Sequence, residues 1–374
     1  MFQNGCIVFK KHKETIMSDF RTFRNAQRQP AQPLHKVIDP AAWEPHSLGD
    51  VANWSYHITD AERDALVAAT EHFLGQGLAP EEVTKNNFLL EGSFRDVMND
   101  VREELRNGRG MVMLRNFPVD RLDRAGIAVA YLGIGTFLGK QMSQNMKGHL
   151  LGHVKDLGGD YADPNTRGYL TKVEMRCHAD ACDYVGLLCL QTAKSGGASR
   201  VVSSVSVHNI MLERRPDLVA VLYQDFYRSR KGDFNPGEEP WYKLPIFWFA
   251  DGYFSATGAG AAIDKAPSLP GVPPLTPMQR EAIKVYREIC EECLTDIPFQ
   301  PGDVQFLNNY VALHTRRDYE DWPEPERKRH LLRLWLADPD NRPIPPKQSN
   351  DFRGRGVLPA GVKLNAPLDV HELA

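Results

Sequence analysis

His178-Ala179-Asp180 is the sharpest chemical feature of this 374-residue chain. On an extended backbone, residues two apart project from one face, and an imidazole beside a carboxylate is a donor pair suited to a cation such as Fe(II). An H-x-D triplet also arises by chance as a surface His and Asp at a strand end, so a metal reading needs a third ligand. His314 offers one: it follows a strand and precedes a polar loop in the run NNYVALHTRRDYEDW. The closing run HLLRLWL adds a second clue. With a period of two, Arg329, Leu331, Arg333 and Trp335 share one face, and His330, Leu332, Leu334 and Leu336 share the other. Guanidinium groups turned inside a protein are costly unless they meet an anion, and planar recognition of a carboxylate is what arginine does best. The alternative is an edge strand with both arginines in solvent.

These side chains need a scaffold to bring them together. GMVMLRNF (110–117), VGLLCLQ and SRVVSSV between 185 and 205, GDVQFLNN (302–309) and HLLRLWL (330–336) read as strands, with AKSGGA as a Gly-containing turn joining the second and third. Thr59 to Glu62 has capping-box spacing ahead of one helix, and Ser93 opens an amphipathic run through Phe94, Val97, Met98, Val101 and Leu105. Further helices are predicted from about Asp120 to Leu138, over 206–214 and 217–224 split at Pro216, and from Thr276-Pro277 to about Leu294. Strands without regular helix alternation predict a mainly β fold with α insertions, in a single domain over 41–374 behind a poorly ordered arm at 1–40. The tail after 338 reads as irregular coil, and no internal repeat is present.

Composition excludes several classes. Hydrophobic residues make up 42% and charged residues 25%, as in an ordinary globular protein. Lys+Arg 45 against Asp+Glu 48 gives a formal net charge of -3, so no basic field points to nucleic acid or a membrane surface. No run approaches the roughly 18 to 20 apolar residues of a membrane helix, and the N-terminus lacks the order of a secretory signal, so a cytoplasmic chain with a small-molecule partner is expected. Whether it forms a homo-oligomer is left open. Six scattered cysteines are too few for a disulfide framework, and Cys290-x-x-Cys293 reads as helix packing rather than zinc. No Gly-rich phosphate loop occurs. His149 and His153 read as loop or strand residues near the pocket, and the aromatics Tyr242, Phe247, Trp248, Phe249, Tyr253 and Phe254 as core or as pocket lining.

The order H-x-D, a distant His, then R-x-x-x-R on the last strand, with Gly196-Gly197 and a hydroxyl residue after the H-x-D, resembles the taurine dioxygenase (TauD/TfdA) family of non-haem iron oxygenases. The resemblance spans roughly 110–336; 134 residues separate Asp180 from His314, and Arg329 follows His314 by 15. It implies a double-stranded β-helix (jelly-roll, clavaminate synthase-like) core, Fe(II) held by His178, Asp180 and His314, and O2 with 2-oxoglutarate as cosubstrates. Residue by residue, Arg329 resembles the arginine that binds the distal carboxylate of 2-oxoglutarate, and Ser199 falls where a threonine hydroxyl supports it. Arg333 resembles a second arginine serving cosubstrate or substrate. Glu174 falls near a substrate-contacting amide of taurine-type enzymes, a change that argues against taurine. With the carboxylate position filled by Asp180, hydroxylation rather than halogenation is implied, with release of succinate and CO2. Two other readings of the residues are a non-catalytic jelly-roll that binds a small anion and a metal-dependent hydrolase or lyase on a cupin-like barrel.

Overall fold

The computed structural model describes residues 28–159, 171–345 and 358–370. Seven strands form one mixed sheet. Ser55–His57 runs parallel to Met111–Arg115, which pairs with Val304–Asn308, then Tyr184–Gln191, then His330–Ala337; Lys140–Gln141 and Leu151–Val154 both pair with His330–Ala337. A second sheet of three strands has the order Thr295–Ile297, Ser199–Ser203, Ala312–Arg316. The two sheets face one another, with Met113, Val185, Val201, Ile297, Leu307, Ala312 and Trp335 packed between them.

Helices cover the outer faces. Asp60–Leu74, Ser93–Asn107 and Arg124–Gly135 pack on the seven-stranded sheet, where Leu332, Leu334 and Leu336 meet Phe73, Met98 and Tyr131. The period-two reading of the last strand therefore holds: the leucine face is covered by helices, and Leu331, Arg333 and Trp335 face inward. The Thr59/Glu62 capping box forms, and Arg124–Gly135 is capped by Asp123. Behind the second sheet, Ser204–Arg214, Pro216–Leu222 and Pro277–Cys293 enclose a second core. Cys290 and Cys293 are packed there, as are the buried Tyr242, Phe247, Trp248 and Phe254, which build core rather than a binding surface.

Three sequence expectations need correction. The runs either side of AKSGGA are not a hairpin: Tyr184–Gln191 lies in the large sheet and Ser199–Ser203 in the small one, because Gly196 and Gly197, with φ of 73° and 70°, turn the chain from one sheet to the other. His314, expected between a strand and a polar loop, instead sits in the middle of the strand Ala312–Arg316, which runs on past it. Of the arm, residues 1–27 lie outside the described residues; 28–40 carry no helix or strand but are pinned down, with Val37 and Asp39 buried and Asp39 paired to Arg28 and Arg342. No described helix is long and apolar enough to cross a membrane.

Candidate active site

The second sheet gains a short fourth rung at His178, which exchanges both backbone hydrogen bonds with His314 at 3.0 Å. This bridge brings two histidines 136 residues apart side by side, their ring centres separated by 4.4 Å. Gly260 makes the close approach possible on the other side, since a Cβ there would stand 2.9 Å from that of His178. Asp180 follows in a turn clamped by Asn309, whose Oδ1 accepts the Asp180 N–H at 3.0 Å and whose Nδ2 donates to the Cys182 carbonyl at 3.0 Å. One potential ligand atom from each of His178, Asp180 and His314 lies within 4.8 Å of the others, the one such cluster among the described residues.

The surroundings keep the three in metal-binding form. His178 Nδ1 donates to the Arg176 carbonyl at 2.9 Å, which leaves the Nε2 lone pair available. Burial lowers the His178 pKa, and burial with the neighbouring His178 pushes His314 down to about 3, so both rings stay neutral. Burial opposes the charge of Asp180, but Arg333, His314, His178 and the Trp335 indole together hold its carboxyl well below the usual range. Arg333 Nη1 lies 3.1 and 3.3 Å from the two Asp180 oxygens, and Trp335 Nε1 donates to Oδ2 at 3.0 Å. A carboxylate offers about four lone-pair sites, so these bonds leave room for a metal. Two neutral imidazoles and one carboxylate on one side of a cation suit Fe(II) with open positions, and the donor set fits that ion.

A cavity runs inward from this cluster between the sheets. His178, Ser199, His314, Thr315, Arg316, Arg329 and Arg333 line it with apolar Val154, Leu187, Phe299 and Leu331. Arg329, just before the last strand, is 3% exposed and its Nη1 has no hydrogen-bond partner. Burial, then the nearby Arg316, pushes its pKa down to about 10. An orphaned buried donor on a charged group costs several kcal/mol unless a ligand meets it, so the cavity demands an anion. Ser199 Oγ lies in the same cavity and donates to Gln305 Oε1 at 3.0 Å. Gly197 leaves space for the arginine, since a Cβ there would stand 3.1 Å from Arg329 Nε.

The chain matches the model of the family described as "Taurine catabolism dioxygenase TauD, TfdA family" over residues 75–335. It belongs to that family. It is 30% identical over 320 residues to FR-33289 synthase of Streptomyces rubellomurinus, covering 83% of this chain and 92% of that protein. It is 26% identical over 328 residues to the taurine hydroxylase-like protein SAT17 of Stachybotrys chartarum, covering 85% and 84%. Its fold is shared with asparagine oxygenase, solved with Fe(II), 3-hydroxyasparagine and succinate, at a TM-score of 0.63 and 17% identity over 84% of this chain and all of that one. The non-haem iron oxygenase OrfP, solved with Fe and alpha-ketoglutaric acid, aligns at 0.55 and 18% identity over 76% and 94%. This chain of the TauD/TfdA family is an Fe(II)- and 2-oxoglutarate-dependent dioxygenase.

The structure brings together all six residues singled out from the sequence: His178, Ser199, His314, Arg329 and Arg333 line the cavity, and Asp180 stands against His314 and Arg333. Arg333 is held differently from expectation, with Nη1 on Asp180 and Nε on Gln144 Oε1 at 2.8 Å, so its nearest anion is the proposed metal ligand itself. Glu174 is not at the pocket. Its carboxylate accepts from Arg200, which points away from Ser199 on the opposite face of the strand, so the argument against taurine lapses. His153 sits on the strand Leu151–Val154 and pairs with His330 and the Pro367 carbonyl, outside the cavity. The sequence placed Trp335 on the inward face without a role, and gave no sign of Asn309, Gln144 or Arg316. Trp335 was legible, being two residues from Arg333 on the same face.

Proposed function

We propose that His178, Asp180 and His314 hold the Fe(II), and that Arg329 with Ser199 receives the distal carboxylate of 2-oxoglutarate, in an enzyme that hydroxylates a small molecule. The observation that carries this reading is the placement of three potential ligand atoms within 4.8 Å of one another beside a cavity that Arg329 also lines, its buried Nη1 without a hydrogen-bond partner. Bound there, iron and the keto acid supply the reduction of O2 coupled to loss of CO2. The net balance is R–H, O2 and 2-oxoglutarate giving R–OH, succinate and CO2, with one oxygen atom in each organic product.

The chain's own residues supply position and electrostatics. Arg176 fixes the tautomer of His178; Trp335 and Arg333 keep Asp180 ionised and aimed. Leu187, Leu331, Val154 and Phe299 exclude water along the span between the ligand cluster and Arg329, which strengthens the charge pairing at its end. The two sheets are read as the halves of a double-stranded β-helix, and 41–374 as one catalytic domain of a cytoplasmic enzyme. Hydroxylated amino acids bound to asparagine oxygenase and OrfP support hydroxylation of a small molecule. Metal titration tests the ligand assignment: wild type takes up one Fe(II) or Co(II) per chain, and His178→Ala or His314→Ala takes up none while keeping the wild-type circular dichroism spectrum. Full metal uptake by either folded variant would reject it.

A further inference from the structure

In the strand Ala312–Arg316, residues alternate between faces, so Arg316 projects from the same face as His314. Its partner directly across the ladder is Ser199, and opposed residues share a face. Both line the cavity with Arg329. Arg316 is 5% exposed, and its guanidinium carbon stands 4.8 Å from the centre of the Tyr319 ring. That ring also carries Arg329, at 5.3 Å. Two guanidinium groups thus gather on one aromatic ring beside a buried hydroxyl, where like charges repel. Arg316 Nη2 donates to the Val173 carbonyl, which anchors the group from the segment leading to His178.

Resting on the reading of this cavity as the 2-oxoglutarate site, the geometry points to Arg316 as a second cosubstrate-binding residue that shares the distal carboxylate with Arg329. One carboxylate relieves the repulsion of both cations at once. The pair therefore selects a dicarboxylic keto acid: a monocarboxylic one would fill the metal end and leave two like charges facing each other.

Calorimetric titration of Mn(II)-loaded protein with 2-oxoglutarate and with 2-oxobutyrate separates this role from a structural one, because 2-oxobutyrate keeps the chelating end and lacks the distal carboxylate. Wild type binds 2-oxoglutarate more tightly. Arg316→Met weakens 2-oxoglutarate roughly tenfold to a hundredfold while 2-oxobutyrate stays within about twofold. If Arg316→Met does not fold, Arg316→Lys carries the test in the same two titrations, with a smaller loss confined to 2-oxoglutarate. Unchanged 2-oxoglutarate binding, or equal losses for both acids, overturns the assignment of Arg316 alone. A wild-type protein that binds no 2-oxoglutarate overturns the cosubstrate reading as well.

Discussion

Arg333 donates from Nη1 to both carboxylate oxygens of Asp180, at 3.1 and 3.3 Å, so the proposed iron ligand is paired with a cation of the protein's own. Both side chains are under 10% exposed, and removing one partner of such a pair leaves the other charge buried. Arg333→Met should therefore lower the stability of the metal-free protein by roughly 3 to 5 kcal/mol. Saturating Mn(II) should recover much of that loss, because the ion supplies Asp180 with a new countercharge. Thermal melts with and without metal read this directly. A deficit of the same size in both conditions would mean that Arg333 stabilises the fold through contacts other than Asp180.

Arg329→Leu should raise the requirement for 2-oxoglutarate far more than that for the primary substrate. The loss is about 2 to 5 kcal/mol, or at least thirtyfold in KM, since a buried charged partner disappears. Steady-state kinetics with each substrate varied in turn would show it. An unchanged KM for 2-oxoglutarate would move the distal carboxylate elsewhere in the cavity.

Gly197 combines a φ of 70° with a Cβ position 3.1 Å from Arg329 Nε and 3.2 Å from Tyr319 Cβ. Gly197→Ala should cost about 1 to 2 kcal/mol of stability through the left-handed backbone and weaken 2-oxoglutarate by displacing Arg329. Metal uptake should stay at the wild-type level, because Gly197 touches none of the three ligands. Parallel titrations with metal and cosubstrate check the separation.

His208 is fully buried among Phe247, Phe249 and Phe254, and burial pushes its pKa from the ordinary 6.5 down to about 4. The folded protein keeps it neutral while the unfolded chain protonates it below 6.5, so the unfolded state binds more protons and stability falls as pH drops from 6.5 toward 4. At pH 5 the contribution of His208 is a loss on the order of 2 kcal/mol. His208→Phe should make that limb of the profile shallower by about that amount. Denaturant melts at pH 7, 6 and 5 on both proteins measure it, and parallel profiles would show that another group titrates.

The pairing of His178 with Asp180 and the inward face of Leu331, Arg333 and Trp335 were legible because H-x-D and a period of two are local patterns, whereas His314 joins them only through the long-range bridge to His178. Arg316 was not legible, because Thr315-Arg316-Arg317 looks like loop until Ser199 is known to sit across from it. The divergence of Tyr184–Gln191 from Ser199–Ser203 escaped for a related reason: two short apolar runs flanking glycines read alike whether the turn closes a hairpin or passes to another sheet. Glu174 was misplaced because its partner Arg200 lies 26 residues away, a distance at which sequence spacing carries no geometry. The aromatics between 242 and 254 suit a core and a pocket wall equally well, and only their packing with Tyr286 and Ile289 assigns Tyr242, Phe247, Trp248 and Phe254 to the core.

The central claim is that His178, Asp180 and His314 support oxygen-dependent oxidation of 2-oxoglutarate. The most direct measurement is succinate released from 2-oxoglutarate by Fe(II)-loaded protein, in air and under argon, for wild type and for folded Asp180→Ala and His314→Ala. Wild type should release succinate only in air, faster when its substrate is present, and both variants should release none above the protein-free control. Succinate formed under argon, or undiminished in either variant, would contradict the account.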